Sequence, residues 1–156
     1  MNVKGLVPLQ EDLTKEELRL NILRGHETMF RVDKKLALGE SLELGEWGCL
    51  QADGTVARPG AASAANTYLV FCGTERSDVH ATGAATLIMN SSVIAKSNRY
   101  AMDSYQIGDE LTVKSLGSDF AGLSKASAGD YVVARVTEVG SGYLCFAVVP
   151  SPFEKA

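Results

Sequence analysis

The chain has 156 residues, 46% of them hydrophobic and 22% charged, with a mean hydropathy of +0.02. That is the composition of one globular domain, and it excludes a collagen-like, disordered or helical membrane-spanning chain. Fifteen basic against nineteen acidic residues leave a net charge of −4. The deficit lies wholly beyond residue 40, so the basic face that holds nucleic acid by its phosphates is missing.

The first 32 residues read as an arm carrying one short helix over residues 15–24. Thr14-Lys15-Glu16-Glu17 is a capping box, and Leu13 and Leu18 occupy the two staple positions around it. Gly25 suits the helix stop, because glycine takes the left-handed conformation cheaply. Leu18, Ile22 and Leu23 would form the apolar side. A helix of about ten residues is marginal alone in water, so it needs a surface to dock on.

Residues 33–150 read as the β body. Thr28–Val32 is a short β-rich stretch leading into it. Ser41–Leu50 is extended and ends in Asp53-Gly54, a strong hairpin turn, with Val56-Ala57 starting the return. Thr67–Cys72, Ala84–Met89, Ser92–Ala95 and Leu111–Lys114 follow as strands, with turn signals at Asn90 and at Gly108-Asp109. Tyr131–Val139 alternates, and Gly140-Ser141-Gly142 turns it back into Tyr143–Val149. Leu144–Val149 is apolar on both faces, which places it inside a sheet rather than at an edge. Pro150 and Pro152 lack the ladder donor and are expected to end pairing, leaving residues 151–156 as a tail. Short strands at this spacing predict an all-β fold, a compact barrel, tulip or sandwich.

The catalytic inventory is thin. His80 follows Asp78 at strand spacing, but no nucleophile-elbow sequence accompanies it, and a surface Asp/His pair accounts for it. His26, His80 and the scattered Cys49, Cys72 and Cys145 show no metal-ligand spacing. Asp103, Asp109 and Glu110 flank a turn, and no phosphate-cradling sequence occurs. Neither enzyme activity, metal nor cofactor is expected. Trp47 is expected as a core anchor. No signal-peptide pattern opens the chain and no apolar run approaches about twenty residues, so no membrane association is expected.

The order of motifs says more than any one of them. From residue 39 the chain runs GESLELGEWGCLQADGTVARPG, then NTYLVFCGTERSDV, then TGAATLIMNSSVIAKSNRYAMDSYQIGDELTV, then AGDYVVARVTEVGSGYLCFAVV. This ordered set, over about residues 39–149, resembles the small decoration, or capsid cement, proteins of tailed-bacteriophage heads. The resemblance implies a β-barrel or β-tulip body on the outer face of the capsid in the virion. There it would bind the major capsid protein and clamp neighbouring subunits, without catalysis or cofactor. Symmetry of such a shell favours a homo-oligomer, a trimer first and a dimer next. Leu13, Leu18, Ile22 and Leu23 are then the expected contacts of the arm with the shell. Cys49, between Gly48 and the Asp53-Gly54 turn, is the candidate intersubunit thiol. The alternative is a tail or baseplate β module that binds a glycan or another structural protein.

Overall fold

A computed structural model describes residues 19–59, 65–73, 83–116 and 120–156. The named elements are eleven strands, in agreement with the all-β expectation. In chain order they are β1 Asn21–Arg24, β2 Phe30–Lys35, β3 Trp47–Leu50, β4 Val56–Ala57, β5 Thr67–Cys72 and β6 Ala84–Met89. The rest are β7 Ile94–Ser97, β8 Glu110–Leu116, β9 Phe120–Lys125, β10 Tyr131–Gly140 and β11 Tyr143–Glu154.

Two sheets form. The first has the order β9-β8-β10-β11-β7-β1 and curls into a half-barrel; the second has the order β2-β6-β5-β3-β4. All the ladders are antiparallel, as short turns between sequential strands demand. The turns are where the glycines predict them. In the β3–β4 hairpin Gly54 sits at φ +87, and the Gln51 amide closes the turn onto the Thr55 carbonyl at 2.8 Å. Asn90 takes φ +52 between β6 and β7, a conformation that asparagine tolerates better than most residues.

Each sheet is also bridged across its curl. Beyond β2, Leu36 bridges Val56 of β4 in parallel, and the Ala37 amide donates to the Val56 carbonyl at 2.9 Å. Beyond β7, Tyr100 bridges Leu123 of β9, and the Ala101 amide donates to the Leu123 carbonyl at 2.8 Å. Edge strands with open ladders are a hazard, and these bridges cover part of two of them.

The larger core lies between the sheets. It joins Trp47, Leu69 and Ile88 of the second sheet to Leu111, Val113, Leu123, Val133, Val136 and Phe146 of the first. Trp47 is fully buried and its ring centroid lies 6.2 Å from that of Phe146, so the anchor role holds. A smaller core of Leu36, Leu42, Val56, Val70, Ala85 and Leu87 fills the opposite face of the second sheet.

The amino-terminal helix is not borne out. Residues 15–18 lie outside the described residues, and Asn21–Arg24 is a strand paired with β7. Its Ile22, with Leu20 and Met29, is buried in the larger core. The expected border at residue 32 therefore cuts through β2, and residues 20–35 contribute to both sheets. At the other end, Pro150 and Pro152 do not stop pairing. Ala134 faces Val148 but Val132 faces Phe153, so the extra residues of β11, both prolines among them, sit in a bulge. Pairing resumes at Phe153 and Glu154, and the expected tail is mostly strand. The Ser41–Leu50 expectation shortens to Trp47–Leu50, because residues 41–46 leave the sheet to carry a buried polar cluster.

Candidate functional site

Residues 40–46 read Glu-Ser-Leu-Glu-Leu-Gly-Glu, and the alternate leucines decide where the acids go. Leu42 packs into the smaller core and Leu44 into the larger one. With both pinned, Glu46 is carried inside, and it is fully buried. A buried carboxylate must find donors. One oxygen of Glu46 accepts from the Glu43 amide at 2.8 Å and from the Arg58 guanidinium at 3.4 Å. The other accepts from the Ala121 amide of β9 at 2.9 Å. Its backbone carbonyl accepts from the Val70 amide of β5 at 2.8 Å. One residue thus clasps an edge strand of the first sheet to a middle strand of the second. Burial pushes the Glu46 carboxyl above the ordinary carboxylate range, while the two amides and the charges of Arg58 and Arg99 pull it back.

A second charged group adjoins it. Arg99, nearly buried, donates to the Glu43 carboxylate at 2.6 Å and through Nε to the Leu44 carbonyl at 3.3 Å. Arg19 lies 3.3 Å from the same Glu43 oxygen. The Ser97 hydroxyl donates to the Arg19 carbonyl and accepts from the Arg99 amide at 3.0 Å. Gly45, at φ +86, passes directly beneath that carbonyl, and a Cβ there would overlap it. Gly45, Ser97, Glu43 and Arg99 thus form a built gate around Arg19. Leu20 and Ile22 follow into the core.

This arrangement joins elements; its acids and guanidinium groups face each other and the backbone. Among the described residues no group of three or more His, Cys, Asp and Glu side chains could hold a metal. No described helix is long and apolar enough to cross a membrane.

The residues singled out in the sequence are scattered. Leu13 and Leu18 of the expected contact set lie outside the described residues, as do Asp78 and His80. Ile22 is a core residue, whereas Leu23 is 46% exposed. Cys49 is half-buried in β3, flanked by Ala57 and Thr67, two residues from the hairpin turn. Burial raises its thiol, partly offset by a hydrogen bond with Thr67. Cys145 is buried and its thiol is raised by the same cause, while Cys72 is half-buried. Asp109 caps its own turn, accepting from the Gln106 amide at 2.8 Å, and Glu110 pairs with Lys155 at 2.6 Å. The clasp of Glu46 is not legible in the sequence, because the leucine alternation of residues 42–44 reads as strand and says nothing of the two cores.

Comparison with known proteins finds no matching family model, no matching curated protein and no matching solved structure.

Proposed function

We propose that this chain is a capsid decoration protein that binds the outer face of a tailed-phage head and clamps neighbouring major-capsid subunits. The observation that carries the reading is the gate at Arg19. Arg19 is held by Ser97, Glu43 and the close approach of Gly45, with core residues immediately behind it. A load borne at Arg19 would reach the core through these contacts, which suits a clamp. The motif series supports the same reading. Glu46-Trp47 forms the clasp and the anchor, Asp53-Gly54 forms the β3–β4 turn, and Tyr131–Gly140 with Tyr143–Val149 builds the inner ladder. The net charge of −4 suits a shell's exterior better than its DNA-lined interior.

The test is deletion of residues 1–18, with the full chain as control, added to purified undecorated heads and viewed by electron microscopy. The full chain should add density outside the shell, and the truncated chain should remain folded and decorate poorly. Density on the tail or baseplate would favour the alternative module, and absence of density from the whole particle would end the proposal. Deletion of residues 1–27 is a different experiment. It strips Leu20 and Ile22 from the core, about 3–6 kcal/mol of burial, and should unfold the body.

A further inference from the structure

β2 carries Phe30-Arg31-Val32-Asp33-Lys34-Lys35, and it stands at the end of its sheet order. Its ladder with β6 fixes which backbone groups remain open. Leu36, in register with Gly83, donates to the Gly83 carbonyl at 2.8 Å, and Phe30 donates to the Ser91 hydroxyl just past β6. Antiparallel bonding alternates along a strand, so residues 30, 32, 34 and 36 point toward β6. Ala37 donates the opposite way, to Val56, as the alternation demands. Arg31 and Asp33 therefore direct their N–H and C=O groups outward. β4 meets the chain beyond β2 at Leu36 and Ala37, which leaves Phe30–Lys34 as the open stretch among the described residues. Phe30 is 60% exposed there, and Arg31 and Asp33 are exposed as well.

Charges on an edge strand usually prevent pairing. Here their order selects one partner. We propose that β2 pairs with β2 of a second copy of this chain, antiparallel about a two-fold axis through Val32. In that register Arg31 lies opposite the second copy's Asp33, and the reciprocal pair repeats it. These are the residues whose backbone groups point outward, so four ladder hydrogen bonds and two opposite-charge pairs form together. Val32 meets its own copy on the axis, and Phe30 lies opposite Lys34, a cation beside an exposed ring. Centring the axis on Arg31 or on Asp33 sets like charges face to face, which disfavours both neighbouring registers. The Asp33 carboxylate accepts from Thr86 of β6 at 2.7 Å and the Arg31 guanidinium lies 5.4 Å from the ring centroid of Phe71 of β5, so both side chains lie over their own sheet before pairing and extend to the edge to meet the second copy. An isologous contact of this kind makes dimers, so of the two expected oligomers this edge supports the dimer. The inference does not rest on the capsid reading.

Sedimentation of the full chain tests it. The wild type should show a concentration-dependent dimer. Arg31→Asp and Asp33→Arg should each weaken it by about tenfold or more, because two favourable pairs become repulsive. An equimolar mixture of the two variants should form a 1:1 heterodimer, since two acidic residues at positions 31 and 33 then face two basic ones. The chain carrying both changes should regain wild-type association, and thermal unfolding of each variant checks that the monomers are folded. Val32→Cys should cross-link under mild oxidation above the wild-type background, whereas Lys34→Cys, far from its own copy in this register, should not. A wild type that stays monomeric at its highest soluble concentration overturns the proposal. So does an oligomer indifferent to both charge reversals, or a variant mixture that does not associate.

Discussion

Replacing Glu46 by alanine removes the acceptor from three donors at once. The Ala121 amide is buried and the Glu43 amide partly so, and Arg58 loses its carboxylate partner at 3.4 Å. An orphaned buried donor costs about 1–3 kcal/mol, and breaking a buried charged pair from one side costs about 3–5 kcal/mol in comparable cases. Arg58 keeps its bond to the Ser41 carbonyl at 3.0 Å and remains partly exposed, which limits its share. The expected loss is therefore about 3–5 kcal/mol, a large part of the 5–15 kcal/mol that holds a typical domain together. Glu46→Gln keeps one acceptor oxygen but turns an amide toward a backbone donor, so about 1–3 kcal/mol is expected. Arg58→Ala should cost about 1 kcal/mol, because the buried Glu46 carboxylate keeps both amide donors and the lost contact is long at 3.4 Å. Urea unfolding followed by fluorescence reads this ordering directly, since Trp47 is the single tryptophan and lies beside Phe146 in the core. The midpoint should fall in the order Arg58→Ala, Glu46→Gln, Glu46→Ala, at unchanged slope. A loss below about 1 kcal/mol for Glu46→Ala would refute the clasp, since even one orphaned buried amide costs that much.

Burial raises the Glu46 carboxyl, so the folded state holds this proton more tightly than the unfolded chain. Its contribution is greatest below the ordinary value of 4.5 and is lost as pH rises through the raised value. Wild type should accordingly gain on Glu46→Gln as pH is lowered from 7 toward 4.5, and a gap that narrows on acidification would contradict this sign. Gly45→Ala combines φ +86 with a Cβ that collides with the Arg19 carbonyl. It should lower stability by about 1–3 kcal/mol and expose the amides around residue 19 to hydrogen exchange, whereas Gly54→Ala at the open hairpin turn should leave those amides protected. The thiols should react slowly with a disulfide reagent in the native state, Cys145 slowest, because Cys145 is buried and both Cys49 and Cys145 are raised. Mass spectrometry of partly labelled protein gives the order, and rapid labelling of Cys145 would show that β11 opens.

Local chemistry made the turns and many of the strands legible. Asp53-Gly54, Gly108-Asp109 and Gly140-Ser141-Gly142 act within four residues, so nothing distant can easily override them. The two apolar faces of Leu144–Val149 put it inside a sheet, and it lies in β11 between β10 and β7. Residues 15–24 show the opposite case. The capping box at Thr14 argues for a helix with local interactions alone, and a ten-residue helix is too weak to resist an alternative. β7, some seventy residues later, offers Asn21–Arg24 a ladder and a core for Ile22, and the strand wins. Proline likewise forbids a ladder bond at its own nitrogen, but only the three-dimensional register shows that β11 has residues to spare for a bulge there. Glu46 marks the same division. Its sequence neighbours announce an extended chain, whereas its burial depends on Leu42 and Leu44 entering two different cores, and its partners Arg58 and Ala121 are 12 and 75 residues away. The sequence by itself determined the class of fold and its turns, because those follow from short-range backbone preference and alternation. The tertiary structure alone decided the clasp, the gate at Arg19 and the open edge of β2, because each depends on which distant strands the two cores bring together.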